Sequence, residues 1–117
     1  MAPFTAPDLE VDTARVSAWL QENPELQVID VREAYEREAG HMAGSRHIEL
    51  ERLASQADSI DRERPVVFYC RLGARSAMAA QAFRASGYDA YSMQGGLAQW
   101  AEEQRPISPE DGYVADH

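Results

Sequence analysis

Apolar and polar positions along the chain alternate between two periods. Leu26–Val31, Val66–Tyr69 and Tyr88–Met93 read as strands, the two best of them short, largely apolar runs. Between them lie segments with apolar residues at helical spacing. Asp12 or Thr13 can N-cap a helix running to about Glu22, with Val16, Trp19 and Leu20 on one face. Asn23-Pro24 ends it, because a residue before proline avoids the helical region. Arg32 to Glu38 predicts a short charged helix. Glu51 to Ile60 predicts another, with Leu53, Ala57 and Ile60 as its stripe. Arg75 to Ser86 predicts an alanine-rich helix with Ala79, Ala82 and Phe83 inward, stopped at Gly87. Leu97 to Gln104 predicts the last helix, introduced by Gly95-Gly96 and carrying Trp100 on its buried face.

Two brief strands complete the pattern, one near Asp8–Val11 and one at Arg46–Leu50. Strands alternating with helices, the best strands being apolar throughout, argue a mostly parallel sheet covered on both faces. Residues 8–104 form the expected domain. Residues 1–7 read as an N-terminal arm, and residues 105–117 as an extended or loosely docked tail. In such sheets ligands bind beyond the carboxyl ends of the strands. Asp30 and Cys70 each stand at such an end.

Composition narrows the possibilities. The 117 residues suit one domain, and their formal net charge of −9 disfavours nucleic acid or an anionic membrane as partner. All 11 basic residues are arginine. No run approaches the ~20 apolar residues of a membrane span. The N-terminus shows no signal-peptide pattern, so a cytoplasmic setting is expected. One cysteine cannot form an internal disulfide or a structural zinc site. No metal or cofactor is expected: neither His41 nor His47 has partners at metal-ligand spacing, and His41 is read as closing a loop by hydrogen bonding.

Cys70 is therefore the candidate for chemistry. It lies at the mouth of an apolar run rather than inside it, beside Arg71 and with Arg75 at the following helix start. Cations and a helix N-terminus favour the thiolate, the nucleophilic form. Gly73 can take a positive φ, letting the turn Cys70–Arg71–Leu72–Gly73–Ala74–Arg75 curl with its N–H groups inward as an anion nest.

Four motifs then carry a resemblance, which covers Leu9 to Gln104. They are Val28-Ile29-Asp30-Val31-Arg32-Glu33, the stretch Gly40 to Ile48, Tyr69-Cys70-Arg71-Leu72-Gly73-Ala74-Arg75-Ser76, and Gly95-Gly96-Leu97-Ala98-Gln99-Trp100. In this order and spacing the chain resembles the single-domain rhodanese-family sulfurtransferases. The resemblance implies a three-layer α/β domain with a five-stranded, mostly parallel sheet and helices on both faces. It implies that Cys70 accepts the outer sulfur of a small-molecule donor such as thiosulfate. The persulfide then passes sulfur to cyanide, an external thiol or a protein acceptor.

Within the resemblance, Arg71, Leu72, Gly73, Ala74 and Arg75 would form the substrate- and persulfide-binding loop. Asp30, Arg32 and Ser76 would support it, Asp30 by accepting loop N–H bonds or by pairing with Arg32 or Arg75. Four residues separate Cys70 from Arg75. Related phosphatases and arsenate reductases have one more and a wider cradle, so sulfur transfer is favoured over oxyanion chemistry. A non-catalytic sulfur carrier is the alternative that shares these residues. Ser45 and Glu49 depart from the family pattern, where alanine and proline are common. The tail has no counterpart, and either meets a partner or folds over the site.

Overall fold

The computed structural model describes residues 8–117, so the expected arm at 1–7 lies outside the described residues. Five strands form one parallel sheet: β1 (Glu10–Val11), β2 (Gln27–Asp30), β3 (Arg46–His47), β4 (Val66–Tyr69) and β5 (Ala90–Met93). Their spatial order is β1-β5-β4-β2-β3, which puts β4 at the centre. Val28 faces Val67 across the β2–β4 pairing, and Asp30 faces Tyr69.

Among the described residues four α-helices cover the sheet: α1 (Thr13–Glu22), α2 (Ala34–Ala39), α3 (Ala74–Ala85) and α4 (Gly96–Glu102). Asp12 caps α1 by accepting the Arg15 N–H at 2.8 Å. Glu33 and Glu36 close a capping box at the start of α2.

Alternation along β4 divides the core in two. Val67 and Tyr69 join Val16, Trp19, Leu97 and Trp100 beneath α1 and α4. Val66 and Phe68 join Ala79, Ala80 and Phe83 beneath α3, and Cys70 continues that face one residue beyond the strand.

Three expectations need correction. Glu51 to Ile60 is not a helix but two single 3-10 turns, Leu50–Arg52 and Ala57–Ser59. Ser55 and Ser59 hydroxyls donate to the Arg52 and Gln56 carbonyls, offering the backbone an alternative to the helical ladder. Leu53 and Ile60 are buried without the helix. Ala82 is exposed, and Ala80 with Ser76 takes its place on the buried face of α3. Leu20 is exposed as well, so α1 buries a narrower face made by Thr13, Val16 and Trp19.

The tail is docked along the α2 side. Backbone bonds of 2.9 and 2.7 Å pair His41 with Ser108, and the Tyr113 N–H donates to Ala39 at 2.9 Å. Trp100 Nε1 donates to the Pro106 carbonyl at 2.8 Å.

Candidate active site

Between the apolar end of β4 and the start of α3 the chain turns in four residues. Gly73 makes this possible by adopting φ +118°, and serves as the α3 N-cap position. Its N–H points back and donates to Cys70 Sγ at 3.0 Å. Ser76 Oγ lies 3.5 Å from the same sulfur, while bonding the Gly73 carbonyl at 3.1 Å and Ser92 Oγ at 2.8 Å. The sulfur therefore sits against one fixed amide donor at the start of α3, with the Ser76 hydroxyl beside it.

The outer rim of the turn is held by α4. The Leu97 and Ala98 N–H groups donate to the Cys70 and Arg71 carbonyls at 2.8 and 3.0 Å. Such close approach requires Gly96, because a Cβ there would lie 2.4 Å from the Arg71 carbonyl oxygen. With their carbonyls tied to α4, Cys70 and Arg71 hold a fixed peptide orientation at the start of the turn.

Cys70 itself is only 1% exposed, at the base of a cleft of about 260 Å³ lined by Cys70, Arg71, Leu72, Ala74, Arg75 and His117. The two arginines are engaged differently. Arg75 forms two hydrogen bonds with Glu36, 2.8 and 2.9 Å long, to a carboxylate that is wholly buried. Those bonds raise the Arg75 pKa against the effect of its own burial. Burial alone would push Glu36 up, but the Arg75 bonds, the Glu33 backbone bond and the Arg75 charge hold it below the usual carboxylate range. Arg71 instead reaches Asp116 of the tail at 3.4 Å.

Asp30 and Arg32 are both fully buried and paired with each other, through contacts of 2.8 Å at both carboxylate oxygens. Arg32 also donates to the Gly40 carbonyl at 2.7 Å. Burial lowers the Arg32 pKa, but the Asp30 hydrogen bonds and charge outweigh it and the net direction is up.

Of the pairings expected for Asp30, the structure has the one with Arg32. Its other partners are Arg37 at 3.4 Å and the Tyr69 hydroxyl at 3.2 Å. Tyr69 in turn accepts the Met42 N–H at 3.0 Å and meets Ser45 Oγ at 3.1 Å. Burial first, then the Asp30 charge, push the Tyr69 phenol up to about 12. Because Tyr69 belongs to the α1/α4 face of β4, this network braces the end of β2 and the 40–45 loop. The partner of Arg75 is Glu36, and the amide in the turn that reaches sulfur is that of Gly73.

Sequence reasoning thus misses Glu36, Arg37, Tyr69, Asp116 and His117. For Glu36 a signal exists, since Glu33-x-x-Glu36 is a capping-box spacing that aims one carboxylate back at the helix start. His41 closes its loop as expected, with Nδ1 3.1 Å from the Arg37 carbonyl, and His47 Nε2 lies 2.8 Å from the Arg32 carbonyl.

Comparison with known proteins agrees with this geometry. The chain is 37% identical over 93 residues to thiosulfate sulfurtransferase GlpE of Pseudomonas aeruginosa, covering 79% of this chain and 80% of that one. It is 29% identical over 97 residues to the putative sulfurtransferase YtwF of Bacillus subtilis, covering 83% and 94%. Of Bacillus subtilis YqhL, 41% identical over 75 residues, the match spans 60%, with 63% of this chain covered. A rhodanese-related protein from Thermoplasma volcanium superposes with a TM-score of 0.79 at 26% identity, over 86% of this chain and 97% of the other. Residues 12–103 match the model of the rhodanese-like domain, and the chain belongs to that family.

Proposed function

We propose that this chain is a sulfurtransferase that carries sulfane sulfur on Cys70, with thiosulfate as donor. The Cys70 thiolate attacks the outer sulfur of thiosulfate. As the new S–S bond forms, the bond to the sulfonate sulfur breaks, and sulfite leaves with that electron pair. A thiophile then attacks the outer sulfur of the persulfide, and the Cys70 thiolate departs. Cyanide leaves as thiocyanate, and a thiolate leaves as its own persulfide. As the sole cysteine of the chain, Cys70 relies on an external acceptor.

The observation that carries this reading is the Gly73 N–H donating to Cys70 Sγ at 3.0 Å in a four-residue turn. An amide fixed on sulfur stabilises negative charge there without reorganising during the reaction. Arg71, the less buried of the two arginines at 31% side-chain exposure, is the group to receive the donor's sulfonate oxygens. Arg75 is held by Glu36 and contributes its field and the shape of the turn. The name borne by the GlpE relative supports the choice of thiosulfate.

Among the described residues no helix is long and apolar enough to cross a membrane. A reducing cytoplasm suits a free thiol that must be regenerated each cycle.

The test is intact-protein mass spectrometry after incubation with thiosulfate. One added sulfur atom is expected on the wild-type chain and none on Cys70→Ser. No adduct on the wild type, or an equal adduct on the variant, overturns the proposal. Thiocyanate release on adding cyanide completes the cycle.

A further inference from the structure

The tail has two parts that differ in how they are held. Up to Val114 it is fixed. Ile107 and Val114 pack against the α1/α4 core, and His41 and Ser108 exchange two backbone hydrogen bonds. Around Gly40 the fit is close enough that a Cβ would meet the Tyr113 backbone at 2.5 Å. This anchoring delivers the next residues to the mouth of the Cys70 cleft.

Beyond Val114 the contacts change character. Asp116 reaches Arg71 at 3.4 Å with its side chain 97% exposed, and its carbonyl accepts the Tyr35 hydroxyl at 3.0 Å. His117 lines the cleft and lies 3.3 Å from Glu36 and 3.7 Å from Glu33. The Arg71–Asp116 pair lies at the surface, and exposed pairs of this kind contribute little and exchange readily with solvent or another ion. Arg71 meanwhile keeps a buried Nε that has no acceptor among the described residues. The cation facing the cleft is thus only partly satisfied by the tail.

We propose that residues 115–117 form a latch over Cys70, and that Asp116 is the chain's own competitor for the anion received at Arg71. This rests on the roles given above to Cys70 and Arg71. An anionic donor displaces the Asp116 carboxylate from the guanidinium and, in doing so, opens the route to the sulfur. A neutral molecule does not compete for Arg71 and gains only from the opening of the latch. Asp116 thereby competes with anionic donors at Arg71 while slowing adventitious reaction of the thiol.

Alkylation of the single cysteine tests the latch independently of sulfur transfer. Iodoacetate serves as the anionic probe and iodoacetamide as the neutral one, on the full chain, on Asp116→Asn and on a chain ending at Val114. Removing residues 115–117 is expected to speed both reagents several-fold. Asp116→Asn is expected to speed iodoacetate several-fold more than iodoacetamide, and to lower the thiosulfate KM by a similar factor. Unchanged rates in the shortened chain, or an equal gain for both reagents in Asp116→Asn, overturn the latch. Failure of sulfur loading in all three proteins would instead overturn the proposed reaction, with the alkylation rates still deciding the latch.

Discussion

Glu36 and Arg75 meet side by side, carboxylate to guanidinium, through hydrogen bonds of 2.8 and 2.9 Å. One comes from α2 and the other from the first turn of α3, so the pair fastens the nucleophile's turn to the helix that follows β2. Glu36→Gln keeps the shape but offers one acceptor and a misplaced amide. Stability is expected to fall by about 1.5–3 kcal/mol, the range for charge-assisted bonds. Sulfur loading of the folded protein is expected to slow by about tenfold or more, since small displacements of a reacting group are costly. Urea titration and timed mass spectrometry give the two numbers. Wild-type loading in folded Glu36→Gln would show that the pair does not shape the turn.

The same pair sets an acid limit. Burial opposes ionisation of Glu36, but the bonds to Arg75 and to the Glu33 backbone prevail, so its folded pKa is lowered. The folded chain then binds this proton less readily than the unfolded one. Its contribution is fully present above the ordinary carboxylate range and is lost as pH falls through that range toward the lowered value. Urea midpoints measured from neutral pH downward are expected to fall more steeply for wild type than for Glu36→Gln. Parallel curves would remove Glu36 from the acid response.

What the sequence discloses and what it hides follow from distance along the chain. The β4–turn–α3 unit is legible because its signals are local. An apolar run, a glycine at the turn, an alanine-rich helix and Gly87 fall within about twenty residues, and Val66–Tyr69 is the strand observed. Glu36 and Arg75 are 39 positions apart, and Arg71 and Asp116 are 45 apart. No periodicity links such pairs. Glu51 to Ile60 misleads for another reason, because helical spacing of Leu53, Ala57 and Ile60 says nothing of serines that bind the backbone. Asp30 is legible as a buried strand-end carboxylate only with its partner, since Arg32 alone reads as a solvated charge.

Asp30 separates bracing from chemistry. Asp30→Ala leaves Arg32, which has no exposed side-chain area, without its carboxylate. Removing one member of such a buried pair costs about 3–5 kcal/mol. Asp30→Asn retains the shape and is expected to lose less. Because the Asp30 network runs through Tyr69, on the face of β4 opposite Cys70, sulfur loading of folded Asp30→Asn is expected to stay within a few-fold of wild type. A loss comparable with that of Glu36→Gln would tie Asp30 to the turn after all.

Gly96 and Gly44 give a matched pair that isolates the role of α4. Both have positive φ, +61° and +80°. Alanine at either position carries the left-handed penalty of about 1–2 kcal/mol. At Gly44 the new methyl group meets nothing within 4 Å. At Gly96 it would lie 2.4 Å from the Arg71 carbonyl oxygen and 2.6 Å from that of Cys70, so the backbone of the turn must move. The same movement strains the Leu97 and Ala98 bonds that orient those carbonyls. Gly44→Ala is therefore expected to lower stability by the conformational cost alone and to load sulfur at the wild-type rate. Gly96→Ala is expected to lose more stability and to load sulfur about tenfold more slowly or worse, since the reacting sulfur is displaced. Equal behaviour of the two variants would mean that the turn holds its shape without α4.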